Sequence, residues 1–321
     1  MHAPAPPAQN RLLGIALRVG AATCFAGMAA AIKLGDQAGV NLAELSFYRF
    51  AFGLPPLLVW LVLTRNPGAW RTQRPLAHLG RGALGLSTMV VGFAALTYLP
   101  LAEASTLGFA APLFAVALSA LILGEPVGRH RWSAVALGFA GVMIVMRPGG
   151  GSHLPAIGLG LALLGALGSA SVTITLRQIG RTETAPTIVL WFTCFSLAVT
   201  GLFLPVYGHA HDARTWAILV VLGLCGGLGQ LFLTSALRFA PVSVVVPFDY
   251  SQLIWAVLLG WLVFDTHPAT STWAGAAVIV ASGLYTLYRE HKLGRARSSP
   301  SPLVGEGYEV LANEVSLDEV G

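Results

Sequence analysis

Charge is what this sequence has least of. Only 10% of its 321 residues are Asp, Glu, Lys or Arg, while 55% are apolar; soluble domains carry roughly 25% and 45–50%. A water-soluble chain with so few charges could not cover its own surface, so lipid must take the place of water over much of it. Lysine is nearly missing, with Lys33 and Lys292 the only two. There is no Gly-x4-Gly-Lys phosphate loop, so intrinsic ATP hydrolysis has no motif to run on. His-Glu-x-x-His and Gly-x-Ser-x-Gly are also lacking. The three cysteines, Cys24, Cys194 and Cys225, are odd in number and lie within apolar stretches. That argues against a structural disulfide and for small packing residues. His209-Ala-His211 with Asp212 offers too few arranged ligands for a dependable metal site and reads as a solvated loop. No cofactor is implied.

Long apolar runs are what the chain has in their place. Segments near 20 residues, each about the length that spans a bilayer core, recur at 12–34, 43–64, 79–98, 101–123, 132–147, 156–177, 186–206, 215–237, 242–264 and 272–288. Barrel strands would show short alternating segments instead. The first run is too long for a signal peptide and is followed by nine more. The expected fold is an all-α integral membrane protein of about ten transmembrane helices. Its positive charge is distributed by membrane side. With the N-terminus in the cytoplasm, Lys33, Arg147 and Arg214 fall outside and Arg18 and Arg49 fall within helices; the rest of the 19 Lys and Arg, Arg81 among them, fall on the inner side. Both termini are therefore expected in the cytoplasm, at a bacterial inner membrane. The net charge of +5 follows this rule and implies no nucleic-acid partner.

The helical part reads as two related halves, 12–148 and 149–289. They lie between a cytoplasmic N-terminal tail, 1–11, and a polar, disordered cytoplasmic tail, 290–321. Ala95-Leu-Thr-Tyr-Leu-Pro100 resembles Ala236-Leu-Arg-Phe-Ala-Pro241. Each is followed by a long apolar helix ending in an acid (Glu125, Asp265), then a tryptophan (Trp132, Trp273), then a closing Gly-x5-Arg. Five helices per half is an odd number, so the second copy enters from the opposite side and the repeat is inverted. That architecture is common in secondary transporters, with the site near the midplane between the halves.

These features resemble the EamA-type branch of the drug/metabolite transporter superfamily. The resemblance rests on the two five-helix halves and on the short link Tyr98-Leu99-Pro100. It also rests on Ala-Pro112-Leu-Phe, on the exit Leu123-Gly-Glu125-Pro126, and on Glu44-Leu-Ser-Phe-Tyr-Arg49-Phe. It implies an alternating inward- and outward-facing cycle around one central cavity, usually exporting a metabolite without ATP. Asp265 in place of the usual glutamate, and Asp249 in a helix that is more often neutral, depart from the pattern.

Charged side chains within a bilayer cost roughly 2.5–3.5 kcal/mol each on insertion scales, and so mark a pathway or a pair. Arg18 and Asp249 sit at matching depths, about 9–10 Å from the cytoplasmic ends of their helices at 1.5 Å per residue. They are expected to pair, or Asp249 to take the coupling proton or a cationic group. Arg49 offers a planar fork for a substrate carboxylate; a structural pair with Glu103 or Glu44 is the alternative. Ser87, Thr88, Ser169, Thr173, Gln230, Thr234, Tyr250 and Gln252 stand near mid-helix. Gln230, Tyr250 and Gln252 join Arg49 and Asp249 as candidate substrate contacts. Phe109, Trp191 and Trp255 could line the cavity or face lipid. Gly223-xxx-Gly227 and Gly165-xxx-Ser169 allow close helix approach. Pro112 and Pro247 loosen corresponding helices in the two halves and are candidate hinges.

The reading is a secondary active transporter, not an enzyme, that moves a small amino-acid-like or amphipathic metabolite, with export expected. The resemblance also carries uptake branches for cofactors such as riboflavin or S-adenosylmethionine. An intramembrane transferase is the rival from another class, and it would need a second acid near Asp249. The bilayer and a small-molecule substrate are the implied partners; a homodimer is left open.

Overall fold

The computed structural model describes residues 10–64, 67–123, 128–147, 154–180, 182–240 and 242–298. Among them there is no strand, and helix covers each of the ten expected ranges. Seven stretches are long and apolar enough to cross a membrane, and Ala185–Gly201 is a shorter apolar helix. The exit at Gly124–Pro126, Pro241, Arg65 and the tails 1–9 and 299–321 lie outside the described residues.

Six of the ten ranges are single helices: α1 (Arg11–Gln37), α4 (Pro75–Tyr98), α7 (Arg129–Met146), α8 (Ala156–Ile179), α11 (Ala213–Phe239) and α14 (Thr270–Ser298). The last runs ten residues past the expected end, so 290–298, expected as tail, is helical. The other four ranges are broken. α2 (Leu42–Ala51) gives way to α3 (Leu54–Leu63), and α5 (Leu101–Gly108) to α6 (Ala111–Leu123). α9 (Ala185–Gly201) gives way to α10 (Leu204–Tyr207), and α12 (Val242–Val245) to a 3-10 turn (Val246–Tyr250) and α13 (Ser251–Phe264). Each break precedes a proline in the next first turn: Pro55 and Pro56 in α3, Pro112 in α6, Pro205 in α10, Pro247 in the 3-10 turn. Proline lacks an N–H, and a first turn does not need one. Pro112 and Pro247 therefore start new segments and do not lie inside unbroken helices.

Pairing is symmetric between the halves. α1 lies along α11 and α4 along α8, while α7 and α14 pair with each other. Exchanging the halves turns the first pair into the second and the third into itself. Small residues let these pairs close. A Cβ on Gly141 would lie 2.9 Å from the Gly275 carbonyl, and one on Gly165 3.5 Å from the Gly92 Cα. Gly227 in the same way lets α11 close on Gly53, between α2 and α3, where a Cβ would lie 2.6 Å from the carbonyl. Large apolar side chains such as Val62, Leu121, Leu202 and Leu262 remain exposed on the outside, as a lipid-facing surface requires.

Each end of the bundle is tied by one acid. Where α4 and α9 begin, Glu183 Oε1 accepts from Thr72 Oγ1 (2.7 Å) and from the Gln73 N–H (3.1 Å). His78 Nε2 stands 3.8 Å from Glu183 Oε2, with its ring stacked on Trp191. At the opposite end, where α2 and α11 begin, Glu44 Oε1 accepts from the His209 N–H (3.0 Å) and meets His211 Nε2 (3.0 Å). His211 is not a solvated loop residue: its side chain is 9% exposed and packs edge-on against Trp216.

Candidate functional site: a central cavity with unpaired arginines

A cavity of about 470 Å³ lies between α1, α2, α4, α5, α8, α9 and α13, within the range of small-molecule sites. Its walls are mostly apolar and include Phe25, Met28, Met89, Phe93, Phe109 and Phe192. Thr88, Ser105, Ser169 and Gln252 add neutral polar groups. Two arginines supply its charge, Arg49 from α2 and Arg81 from α4.

Neither arginine has a counter-ion among the described residues. Arg49 is 7% exposed and Arg81 8%. Arg49 Nε and Arg81 Nε and Nη1 are buried with no hydrogen-bond partner among the described residues. Each guanidinium rests on an aromatic face, Arg49 Cζ 4.5 Å from the Phe50 ring centre and Arg81 Cζ 4.0 Å from that of Phe192. The two rings meet edge-on at 5.4 Å. Ring faces attract cations but leave the in-plane N–H donors free. Gly85 makes room for Arg81, because a Cβ there would lie 2.5 Å from Nη1.

The candidates to close these charges, Glu103 and Glu44, each use one oxygen elsewhere and leave Oε2 without a hydrogen-bond partner among the described residues. Glu103 accepts from Thr272 Oγ1 (3.0 Å) and Glu44 from the His209–His211 segment. The structural pairing of Arg49 with Glu103 or Glu44 does not occur. Asp249 forms a bidentate pair with Arg18, so the structure brings those two together.

The remaining expected residues divide. Gln252 lines the cavity. Gln230 instead faces a void of about 10 Å³ behind Arg49. Tyr250 packs on Phe109, ring centres 4.9 Å apart, and fills the space over Gly283. Thr88, Ser169 and Phe109 reach the cavity, whereas Ser87 and Thr173 are exposed. Trp191 stacks on His78 and donates from Nε1 to the Trp70 carbonyl (3.3 Å), away from the cavity. Arg81, placed at the inner surface from its nearness to a helix start, is a cavity residue. The signal for it was local: Gly85, one turn on, leaves the space that an inward-turned arginine needs. Among the described residues no group of three or more His, Cys, Asp or Glu is placed to hold a metal.

Comparison with known proteins gives a consistent result. A family described as the EamA-like transporter family matches residues 12–147 and again residues 156–288. A riboflavin transporter of Rhizobium johnstonii is 36% identical over 264 residues, covering 79% of this chain and 83% of its own. A pseudopaline exporter of Pseudomonas aeruginosa is 29% identical, covering 84% and 94%. An S-adenosylmethionine uptake transporter of Rickettsia prowazekii is 30% identical, covering 78% and 84%. One crystal structure superposes with a TM-score of 0.61 at 20% identity, covering 86% of this chain and 97% of the other, a likeness of fold.

Proposed function

The chain belongs to the EamA-like transporter family, and from that premise we propose that it carries a small amphipathic metabolite across a bacterial inner membrane by alternating access. The observation that carries this reading is the 470 Å³ cavity with an unpartnered Arg49 in its wall. A buried guanidinium without an acceptor is costly. A substrate carboxylate, or a comparably acceptor-rich head, would relieve that cost on each binding cycle, while the aromatic and Met walls take its apolar body and Gln252 a neutral polar group.

The membrane arrangement in this reading is ten spans in two inverted five-helix halves, with both termini cytoplasmic. The symmetric pairing and the doubled family match support it. The breaks before Pro112 and Pro247 serve as hinges. The Glu183 tie would close the cytoplasmic end and the Glu44 tie the outer end, so that one must release while the other holds.

A second reading is favoured by the aromatic walls together with the riboflavin transporter relative. In it the substrate is neutral and planar, and its conjugated carbonyls accept from the guanidinium forks. Counterflow in proteoliposomes tests both, using labelled amino acids, aromatic carboxylates and riboflavin. Saturable exchange that needs internal substrate supports a carrier. Flux that does not saturate, or chemical change of the compound, would count against it in favour of a pore or a transferase.

A further inference from the structure

The Arg49 site has a second cation, and the pair sets a charge requirement. Arg49 and Arg81 both line the cavity, both are more than nine-tenths buried, and both keep unpartnered N–H donors. Among the described residues no acid pairs with either arginine. Asp249 pairs with Arg18, Glu103 Oε1 accepts from Thr272, Glu44 Oε1 meets His209 and His211, and Glu183 Oε1 accepts from Thr72 and Gln73. Glu44 Oε2 and Glu103 Oε2 are themselves left without a hydrogen-bond partner. The cavity wall therefore holds two guanidinium charges with no ion-pair partner among the described residues, in a low-dielectric setting. Each guanidinium lies on its own ring, Phe50 or Phe192, so the two forks are held at separate, fixed positions. Like charges kept close without counter-ions repel, and burial strengthens that repulsion. A monoanion can neutralise only one of them. A neutral ligand neutralises neither.

We infer that the cavity is built for a dianion, a metabolite with two carboxylate-type charges, or one phosphate-type dianion, on an apolar body, with Arg81 engaging the charge that Arg49 does not. This rests on the reading of the cavity as the carrier's substrate site, and it narrows the substrate class. Arg81 is then the residue that separates dianions from monoanions and from neutral planar compounds.

The test uses the full-length protein purified in detergent, with benzoate, isophthalate, phenyl phosphate and riboflavin as probes, read by binding titration and by thermal unfolding. The first three compounds share one ring and differ in charge. Wild type is expected to bind isophthalate or phenyl phosphate at least about tenfold more tightly than benzoate, in keeping with an added charge-assisted hydrogen bond. In Arg81→Gln the dianion-to-benzoate ratio should fall towards one. In Arg81→Lys, which keeps the charge and loses the fork, it should fall part of the way. Without ligand, Arg81→Gln should unfold no earlier than wild type, because an unpaired buried charge has been removed; a purely structural arginine would give earlier unfolding. Equal affinity for benzoate and the dianions, a preference that survives Arg81→Gln, tighter binding of riboflavin than of every anion, or no binding of any anion would each overturn the inference. Counterflow keeps the two readings apart. Saturable exchange of riboflavin or of a monoanion, unaffected by Arg81→Gln, would leave the carrier standing and remove the dianion.

Discussion

Arg18 and Arg49 are a matched contrast. Both are buried arginines within helices of a membrane-length bundle, and sequence reasoning marked both for the same reason, the cost of charge in lipid. Arg18 is closed by Asp249 through a two-point pair. Arg49, with Arg81 beside it in the cavity wall, is closed by nothing among the described residues. Burial of a charge therefore does not locate a binding site. On the proposed reading the missing partner does, because the two arginines without an acid among the described residues are the ones left for a ligand that comes and goes.

The largest effect is expected where the contrast is broken from the paired side. Asp249→Asn leaves Arg18 buried without its counter-ion, and breaking such a pair costs about 3–5 kcal/mol. The Asp249 side chain is 34% exposed, which places the expected loss near the lower end. Thermal or denaturant unfolding in detergent measures it, and Arg18→Gln combined with Asp249→Asn should recover most of the stability. An Asp249→Asn protein of normal stability whose transport loses its pH dependence would instead assign Asp249 to proton coupling.

Arg49→Gln approaches the contrast from the unpaired side. No native ion pair is lost, so stability should hold or rise slightly. Substrate affinity in counterflow should fall by roughly 10- to 100-fold, the equivalent of about 1.5–3 kcal/mol for a hydrogen bond to a charged group. A normal apparent affinity would remove Arg49 from the site.

The two arginine sets also mark how far the sequence could be read. Helix existence was legible because apolar length and punctuation suffice: Pro100 precedes α5, and Asp265 ends α13 in the left-handed conformation (φ 49°), which Asp tolerates. Pro112 and Pro247 marked two of the four broken ranges as bent, but the breaks before Pro55 and Pro205 were not legible, because Pro55, Pro56 and Pro205 sit inside unbroken apolar runs. Periodicity does not separate a proline in a first turn from one in a helix interior. Charge or polar size marked Arg49 and Gln252, which line the cavity, and the pair Arg18–Asp249, which does not. Arg81 was not marked, because a cation near a helix start serves the positive-inside rule equally well, and its inward turn depends on space that Gly85 leaves. Gln230 was expected among the substrate contacts and lies one layer behind Arg49, a distinction of side-chain direction that helix position alone does not carry.

That space permits a finer test. Gly85→Ala keeps both arginines but puts a Cβ 2.5 Å from Arg81 Nη1 and 3.0 Å from the Phe192 ring. The flexible guanidinium must move, at a cost of about 1–2 kcal/mol for overpacking. Binding of isophthalate should weaken severalfold while benzoate is less affected, because only the Arg81 end is displaced. Equal weakening of both probes would mean that the cavity as a whole had shifted.

The smallest expected effects lie at the two ends, where one acid each takes the place of the Arg18–Asp249 pair of the middle. Glu183 is held below the usual carboxylate range, first by the hydrogen bond from Thr72, with the Gln73 N–H and His78 adding to it against a smaller opposing effect of burial. A carboxylate depressed in the folded state adds stability that is fully present above its unfolded pKa, 4.5, and is lost as the pH falls through the lower folded value. Glu183→Gln should therefore lower the unfolding temperature at pH 7, by the equivalent of roughly 1 kcal/mol for hydrogen bonds of this kind, and the difference should shrink below pH ~4. Glu44→Gln removes the charge that meets His211 and should cost a similar amount at pH 7. If the reading of the two ends as alternately released ties is right, the two variants should also shift exchange in opposite senses. Each would favour opening at its own face, read as the rate at which a small thiol reagent reaches a cysteine placed at Ser105 in the cavity wall from that side of the membrane. Equal labelling changes from both sides in both variants would show that these acids hold the loops without gating the cavity.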